Sequence, residues 1–208
     1  MSKTKQNLER SKSVEKSATI LQGAMQEFLK HGYAGTSMDQ IAKVAGVSKA
    51  TVYSHFGDKE SLFNAVIQDL VQEKFQTVMS LDQPQSLGED PKKVLSEMVT
   101  KMLENTLSDR NFHNFIRIII GESGRFPELA KAYVYNLAKP GIEALTKYLK
   151  SHPELKLEDP EATVRIMVGS LVYFVMLQEM LHSKDILPLE SDRLTNTVVP
   201  EQSAKSQP

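Results

Sequence analysis

Residues Ile41 to Glu60 read IAKVAGVSKATVYSHFGDKE, and this stretch decides the fold. Two short apolar patterns with helical spacing lie on either side of a small step that contains glycine. Two short helices joined by a tight turn of this kind form a helix-turn-helix. The second helix is too polar for a core, because it carries Lys, Thr, Tyr, Ser and His within a few positions. We therefore expect its polar side to face a partner.

Signals at the helix ends agree with this interpretation. Ser37 and Gln40 have the spacing of a capping box, and Gly46 follows the last apolar residue of the first helix. Ser48 is a candidate N-cap for the second helix. The predicted helix-turn-helix therefore spans residues 37–56.

The rest of the chain also shows helical spacing of its apolar residues. We find no alternating run, so the sequence predicts an all-α protein: a three-helix head followed by a helical bundle. Pro140 is expected to kink or divide the helix that contains it, because proline lacks a backbone donor. From Leu187 onward the sequence loses its periodicity, and we predict a flexible tail over residues 188–208.

Composition limits the possible classes of protein. The chain has 208 residues and no cysteine, which excludes disulfides and thiolate sites. Its longest apolar run, Ile166 to Leu177, is shorter than the roughly 18 residues of a membrane span. We therefore expect no membrane partner, a buried helix at this run and, since the polar N-terminus does not resemble a signal sequence, a cytoplasmic location.

Charge is distributed unevenly. Residues 1–60 hold nine basic and six acidic side chains, whereas the chain as a whole has a net charge of −1. A basic head on an acidic body suits a polyanionic partner such as nucleic acid. Sequence patterns for enzymes are weak, because no P-loop or dinucleotide fingerprint is present and the pair Glu179 and His182 lacks the second copy that a di-iron bundle needs. We expect no enzyme, no cofactor and no metal.

The second helix of the helix-turn-helix offers DNA-binding chemistry. Val52 and Phe56 would hold it against the core, which leaves the polar side chains outside. A lysine reaches a phosphate or the acceptor edge of guanine, and Tyr and His side chains donate hydrogen bonds to phosphate oxygens. A solvated face on an ordinary helical bundle is the alternative.

The stretch GYAGTSMDQIAKVAGVSKATVYSHFGDKESLF, residues 32–63, resembles the DNA-binding head of the TetR/AcrR transcriptional regulators, over about residues 13–73. The resemblance implies a cap near the DNA backbone at Thr36, phosphate contacts in the second helix and just after it, and a groove-facing N-terminal part of that helix. The expected DNA-binding residues are Thr36, Ser37, Ser48, Lys49, Ala50, Thr51, Tyr53, Ser54, His55 and Lys59.

Residues 74–187 are, by the same resemblance, expected to form a ligand-binding and dimerisation domain. The stretch FIRIIIGESGRFPELAKAYVYN, residues 115–136, resembles the second domain of the AcrR/AefR-like branch. Within it, Glu122 and Arg125 either orient a ligand or pair with each other. Side chains that could line an apolar cavity, with plain core packing as the alternative, are Met98, Met102, Phe115, Ile119, Phe126, Tyr133, Met167 and Tyr173.

Two hypotheses follow for the function. In the first, the protein is a ligand-responsive repressor that binds a palindromic DNA operator as a homodimer and responds to a small apolar or amphipathic effector. The last long helix is apolar on more than one side, which fits packing against a twin. In the second, the chain is a helical ligand-binding or protein-interaction module without operator binding.

Overall fold

A computed structural model describes residues 2–79 and 90–199, and every regular element in these ranges is helical. The all-α prediction is confirmed. In chain order the α-helices are α1 (Ser2–Gly35), α2 (Met38–Val44), α3 (Lys49–Phe56), α4 (Lys59–Met79), α5 (Pro91–Leu107), α6 (Arg110–Glu122), α7 (Pro127–Tyr133), α8 (Lys139–Lys150), α9 (Pro160–Val175) and α10 (Ser191–Val198). Two π-helical segments, Val134–Ala138 and Met176–Met180, and a 3₁₀ turn, Pro153–Leu155, complete the elements.

The caps read from the sequence are present. The Ser37 backbone N–H donates to Oε1 of Gln40 at 2.8 Å, and the Gln40 N–H returns to Oγ of Ser37 at 3.3 Å, which completes the capping box of α2. At α3, Oγ of Ser48 accepts from the backbone N–H of Thr51 at 3.1 Å. These bonds satisfy amides that the first turn of a helix leaves without partners.

Pro140 divides its helix as expected, and the structure shows how. A π-helical segment, Val134–Ala138, lies directly before α8, whose second residue is Pro140. The proline has no N–H for the carbonyl four residues earlier, that of Asn136, and this residue lies within the π-helical segment. The wider turn therefore accommodates the lost bond without ending the helical path.

The expectation of a flexible tail is wrong for residues 191–199. This part forms α10, whose Leu194 and Val198 pack on the core that α5 and α9 share, and the following Val199 is buried there. A helix of two turns has too few apolar positions to reveal a period, so its packing partners, not its own pattern, determine it. The remainder of the predicted tail, residues 200–208, lies outside the described residues.

The chain folds as two compact units that do not follow chain order. The first contains the residues up to Leu70 together with Asn114–Tyr133, and the second contains Val71–His113 and the residues from Val134 onward. The expected boundary at residue 73 lies close to the first division. The return of α6 and α7 to the first unit was not predicted.

Aromatic packing explains that return. In the first unit, the Phe115 ring stacks on Phe63 with centroids 4.8 Å apart, and Phe126 meets Tyr33 edge-on at 5.0 Å. Phe28 packs edge-on against Phe63 at 5.0 Å. The core of the head therefore uses rings from α6 and from the turn before α7, since each ring buries a large apolar area.

The second unit has its own core, built from α5, α8, α9 and α10. On α9, Leu171 and Phe174 face that core, whereas Ile166, Val172 and Tyr173 are 72%, 55% and 57% exposed. By length and composition alone, Pro160–Met180 is the one helix in the described ranges that could cross a membrane. The expectation that this helix is buried therefore holds for one of its faces, and the other face is apolar and open.

A close approach of backbones fixes α1 against the end of α2. A Cβ atom added to Gly23 would lie 3.2 Å from both Cβ and the amide nitrogen of Ala45, which is tighter than an ordinary contact. Gly23 and Ala45 are both buried. Small residues at both positions therefore let α1 support the helix-turn-helix.

We expect Gly23→Val to lower the free energy of unfolding by about 2 kcal/mol, because extra methyl groups in a packed contact cost roughly 1–3 kcal/mol. Chemical denaturation at a fixed protein concentration, followed by circular dichroism, measures the change. Gln22→Val is the matched control, since it places the same branched side chain at the neighbouring exposed position of α1. Equal losses in the two variants would contradict the close approach.

Candidate nucleic-acid interface

A left-handed glycine makes the turn between α2 and α3. Gly46 has φ of 65°, and the Val47 N–H donates to the carbonyl of Ala42 at 3.0 Å. Ile41 of α2 and Val52 of α3 are fully buried. With both helices held by their apolar sides, the outer surface of α3 has a fixed orientation, as a helix-turn-helix requires.

The outer surface of α3 is polar and accessible. Of the ten expected DNA-binding residues, six are exposed, three are half-buried and one is buried. The exposed residues are Ser37, Ser48, Lys49, Ala50, Tyr53 and Ser54, the half-buried ones are Thr51, His55 and Lys59, and the buried one is Thr36. The exposed residues thus lie at the start of α2 and along α3, the two helices of the helix-turn-helix.

Most hydroxyls on this surface are already used locally. Oγ of Ser48 lies 2.8 Å from Oγ1 of Thr51, and the Ser54 hydroxyl donates to the Thr51 carbonyl at 2.9 Å. Tyr53 is 43% exposed and stands free of such a bond among the described contacts. Tyr53 is therefore the side chain of α3 best suited to donate to a phosphate oxygen.

Lys49 does not extend freely into solvent. Its ammonium lies 2.7 Å and 3.0 Å from the two carboxylate oxygens of Asp39 on α2, and 5.8 Å from the ring centroid of Tyr53. The bond to Asp39 raises the pKa of Lys49 above its usual value. The lysine of the recognition surface is thus charged and held in position by a carboxylate.

Thr36 does not lie on the outer surface, in contrast to the expectation. Its side chain is 3% exposed, and its hydroxyl lies 2.8 Å from the carbonyl of Gly32 and 3.0 Å from that of Glu27. These contacts lie at the break in α1 at Gly32, where φ of 71° interrupts the helical path. The Thr36 hydroxyl shares its one proton between these two carbonyls, so its side chain has a structural role.

Lys59 is also drawn into the fold. Its ammonium donates to the carbonyls of Tyr33 and Thr36, both at 2.9 Å, and lies 4.4 Å from the Tyr33 ring centroid. Burial lowers the pKa of Lys59, while the nearby Glu122 carboxylate acts in the opposite direction. One of its three N–H groups remains, so a phosphate contact by Lys59 stays a prediction that rests on that single donor.

The same region holds Glu122, whose contact with the end of α1 the sequence did not indicate. Oε1 of Glu122 accepts from the Ala34 backbone N–H at 3.3 Å, and the guanidinium of Arg125 lies 5.2 Å from the Phe126 ring. Glu122 therefore caps the broken end of α1 instead of pairing with Arg125. The two partners are 88 positions apart, so no local pattern could have indicated this bond.

Burial, with help from Glu60, raises the pKa of Tyr33 to about 12, so its phenol stays neutral here.

The residues expected to line a ligand cavity do not form one set. Phe115, Ile119, Phe126 and Tyr133 belong to the first unit, whereas Met98, Met102 and Met167 belong to the core of the second. Tyr173 is exposed on α9, on the same face as Ile166 and Val172. The methionines of the second unit therefore remain as candidate lining residues.

The Glu-x-x-His pair, Glu179 and His182, lies at the end of a helix and, among the described residues, has no contacts typical of a metal site. Glu179 forms an ion pair with Lys184 at 2.5 Å, and His182 is exposed with φ of 55°. Within residues 2–79 and 90–199, no group of three His, Asp or Glu side chains is placed to hold a metal ion. This pair therefore gives no reason to assign a metal centre.

Comparison with known proteins matches both parts of the chain. The family model described as bacterial regulatory proteins, tetR family, matches residues 20–66. The model described as AefR-like transcriptional repressor, C-terminal domain, matches residues 93–199, about half of the chain. The first match lies within the predicted head, residues 13–73, and the second covers most of the predicted body, residues 74–187, and extends into the predicted tail.

Individual relatives are also named as transcriptional regulators. The uncharacterized HTH-type transcriptional regulator YhgD of Bacillus subtilis (strain 168) is 27% identical over 177 residues, which cover 82% of this chain and 87% of that protein. The HTH-type transcriptional regulator AcrR of Shigella flexneri is 29% identical over 140 residues, 66% of this chain and 64% of its own.

Solved structures show the same fold. The flavonoid-responsive regulator FrrA superposes with a TM-score of 0.70 at 28% identity, covering 88% of this chain and 93% of its own. A TetR-family transcriptional regulator from Mesorhizobium loti MAFF303099 superposes with a TM-score of 0.71 over 90% and 94%, and at 24% identity it supports the fold alone.

We expect Lys59→Met to lower the free energy of unfolding by about 2 kcal/mol, because two backbone carbonyls lose a charged donor. Denaturation of the full chain measures the loss, and Lys43→Met on the exposed side of α2 is the matched control. If Lys59→Met and Lys43→Met unfold alike while only Lys59→Met weakens DNA binding, the ammonium serves DNA and not the fold.

Proposed function

The chain belongs to the TetR family of bacterial regulatory proteins, with an AefR-like C-terminal domain, and on this premise we propose that it is a ligand-responsive repressor that binds a palindromic operator as a homodimer. That it is a DNA-binding transcriptional regulator follows from the family. The observation that carries the proposal is the capped helix-turn-helix, which presents Lys49, Tyr53 and the start of α3 outward. A cytoplasmic location follows from the task of meeting the chromosome in a bacterium.

On DNA, we place α3 in the major groove and the starts of α2 and α3 against the backbone. Ala50 at the N-terminal end of α3 is small and exposed, so the helix can approach the base edges closely. Tyr53 and the half-buried His55 supply hydrogen-bond donors for phosphates on the same helix. Since the hydroxyls of Ser48 and Ser54 are engaged locally, few direct base contacts remain and DNA shape carries part of the specificity.

For the dimer, we propose the exposed face of α9. Gly169, Val172 and Tyr173 lie three, six and seven positions after Ile166, so the four residues share a face. A Cβ added at Gly169 would meet nothing within 4 Å, so a second helix can come close at this point. A twin with the same face would bury these side chains symmetrically, as an isologous interface does. The family, which usually acts as dimers, favours a twin over a membrane as the partner of this apolar face.

For the effector, we propose a small apolar or amphipathic molecule in the second unit. FrrA is named for its response to flavonoids, and Met98, Met102 and Met167 provide adaptable apolar lining in that unit of this chain. Such a ligand releases DNA only through a difference in its affinity for the two states of the protein.

For the transmission of the signal, we propose α4 and α6. Each of these helices has residues in both units, with divisions after Leu70 and after His113. In the first unit, α4 supplies Phe63 and α6 supplies Phe115, and these rings stack. A rearrangement in the second unit therefore reaches the head through two continuous helices, and a change in the spacing of paired heads weakens binding to two half-sites.

The test is selection of duplex DNA by the full-length protein, followed by fluorescence anisotropy. We expect a palindrome with half-site centres about 34–36 Å apart, or a multiple of that distance, because each α3 must enter a major groove on the same side of DNA. Flavonoids are the first effector probes. A compound that binds should lower operator affinity by the same factor by which the operator lowers its own affinity. Failure to enrich any palindrome would leave a helical module without operator binding.

We expect Val172→Asp to convert the dimer to monomers, because an unpaired charge in a buried apolar interface costs several kcal/mol. Sedimentation velocity at micromolar concentration measures the oligomeric state. Thr100→Asp is the matched control, since it adds the same charge at an exposed position of α5 in the same unit. A dimer of unchanged affinity in Val172→Asp would exclude this face of α9 as the interface.

A further inference from the structure

We propose that Asp39 of α2 and Lys49 of α3 act together as one reading unit that recognises a G·C base pair in the major groove. This inference rests on the proposed function, since it concerns how the helix-turn-helix distinguishes its operator from other DNA. The two side chains come from different helices of the motif and meet on its outer surface.

The geometry of the pair is well defined. The ammonium of Lys49 lies 2.7 Å from Oδ1 and 3.0 Å from Oδ2 of Asp39, so both carboxylate oxygens hold it. The Tyr53 ring lies on a further side of the ammonium at 5.8 Å. The Lys49 and Asp39 side chains nevertheless stay 58% and 61% exposed, so at least one N–H of Lys49 and several lone pairs of Asp39 remain available to a ligand.

A stabilising role for the fold does not account for this pair. Exposed ion pairs contribute roughly 0–1 kcal/mol, and a carboxylate on a surface that meets phosphates repels them. The helix dipole favours an acid anywhere in the first turn of α2, but it does not require contact with a lysine of α3. The negative charge of Asp39 beside Lys49 therefore lowers the affinity of this surface for DNA of any sequence. A gain in sequence specificity would offset that loss.

The pair matches the edge of a G·C base pair. In the major groove, guanine offers the acceptors N7 and O6, and cytosine offers the donor N4–H₂. O6 and N4 share a hydrogen bond and so lie about 2.9 Å apart, close to the separation of the Lys49 and Asp39 heads. The remaining N–H of Lys49 would be shared between the adjacent acceptors O6 and N7 while Asp39 accepts from N4.

An A·T pair fits less well. Its donor on adenine lies between two separated acceptors, and the thymine methyl group flanks O4. The ammonium would then have one acceptor beside a methyl group instead of two adjacent acceptors. A bare lysine, by contrast, would bind phosphates of any sequence, so Asp39 is the positioning residue that directs Lys49 to a base.

The experiment uses the full-length protein and a library of duplexes with randomised palindromic half-sites, with deep sequencing of the bound fraction. Wild type, Asp39→Ala and Lys49→Met are compared, and Asp69→Ala, an exposed acid on α4, is the control for lost negative charge. The selected duplex and its single-pair variants are then titrated by anisotropy. Thermal unfolding by circular dichroism checks that each variant folds like the wild type.

We expect one G·C position in each half-site at which exchange for A·T weakens wild-type and Asp69→Ala binding by roughly 5–150-fold. That ratio should fall toward one in both Asp39→Ala and Lys49→Met, and the double variant should lose no more than either single variant, because the two side chains act as a unit. Affinity for unrelated duplexes should rise in Asp39→Ala as Lys49 becomes free to meet phosphates.

Several results would overturn the inference while leaving the proposed function intact. One is a wild-type palindrome whose consensus is unchanged in Asp39→Ala and Lys49→Met. Another is an equal gain in affinity for all sequences in Asp39→Ala, which would make Asp39 a simple repellent. A third is an A·T pair at the position that both variants affect. A wild type that enriches no sequence would instead contradict the proposed function itself.

Discussion

The break of α1 at Gly32 is the constraint on which the head depends. A backbone with φ of 71° interrupts the helix at this point, and polar side chains bond to the backbone groups around it. The Thr36 hydroxyl shares its proton between the carbonyls of Glu27 and Gly32, the Lys59 ammonium donates to those of Tyr33 and Thr36, and Glu122 accepts from the Ala34 amide. Helices α1, α4 and α6 therefore all contribute to one turn, and α2, the first helix of the helix-turn-helix, begins directly after it.

The DNA-binding head is not one continuous stretch of the chain. Its recognition surface comes from two short helices, but its core includes rings from α6 and from the residue before α7. The residues that bind DNA and those that stabilise the head are thus drawn from distant parts of the chain. Lys59 and Thr36 illustrate the difference, because both lie in the motif that predicts DNA contact while their polar atoms serve the backbone.

Features set by neighbours in sequence could be predicted, and features set by distant contacts could not. The capping box at Ser37, the N-cap at Ser48 and the division near Pro140 depend on residues within a few positions, and the structure contains all three. The bond from Glu122 to Ala34 and the packing of α10 depend on partners far along the chain. Burial of Thr36 and exposure of Tyr173 were missed for the same reason, since a helical period gives a face but not what covers it.

The discontinuous first unit has a consequence for how the protein emerges from the ribosome. The α1–α4 part is synthesised first, yet its aromatic core lacks Phe115 and Phe126 until the chain has grown well beyond Leu70. At about 5–20 residues per second, the wait from Leu70 to Tyr133 lasts roughly 3–13 seconds. During this interval Tyr33 and Phe63 lack the ring partners, Phe126 and Phe115, that they have in the folded head. Completion of the head is thereby timed by translation of a segment, Asn114–Tyr133, that lies outside the helix-turn-helix.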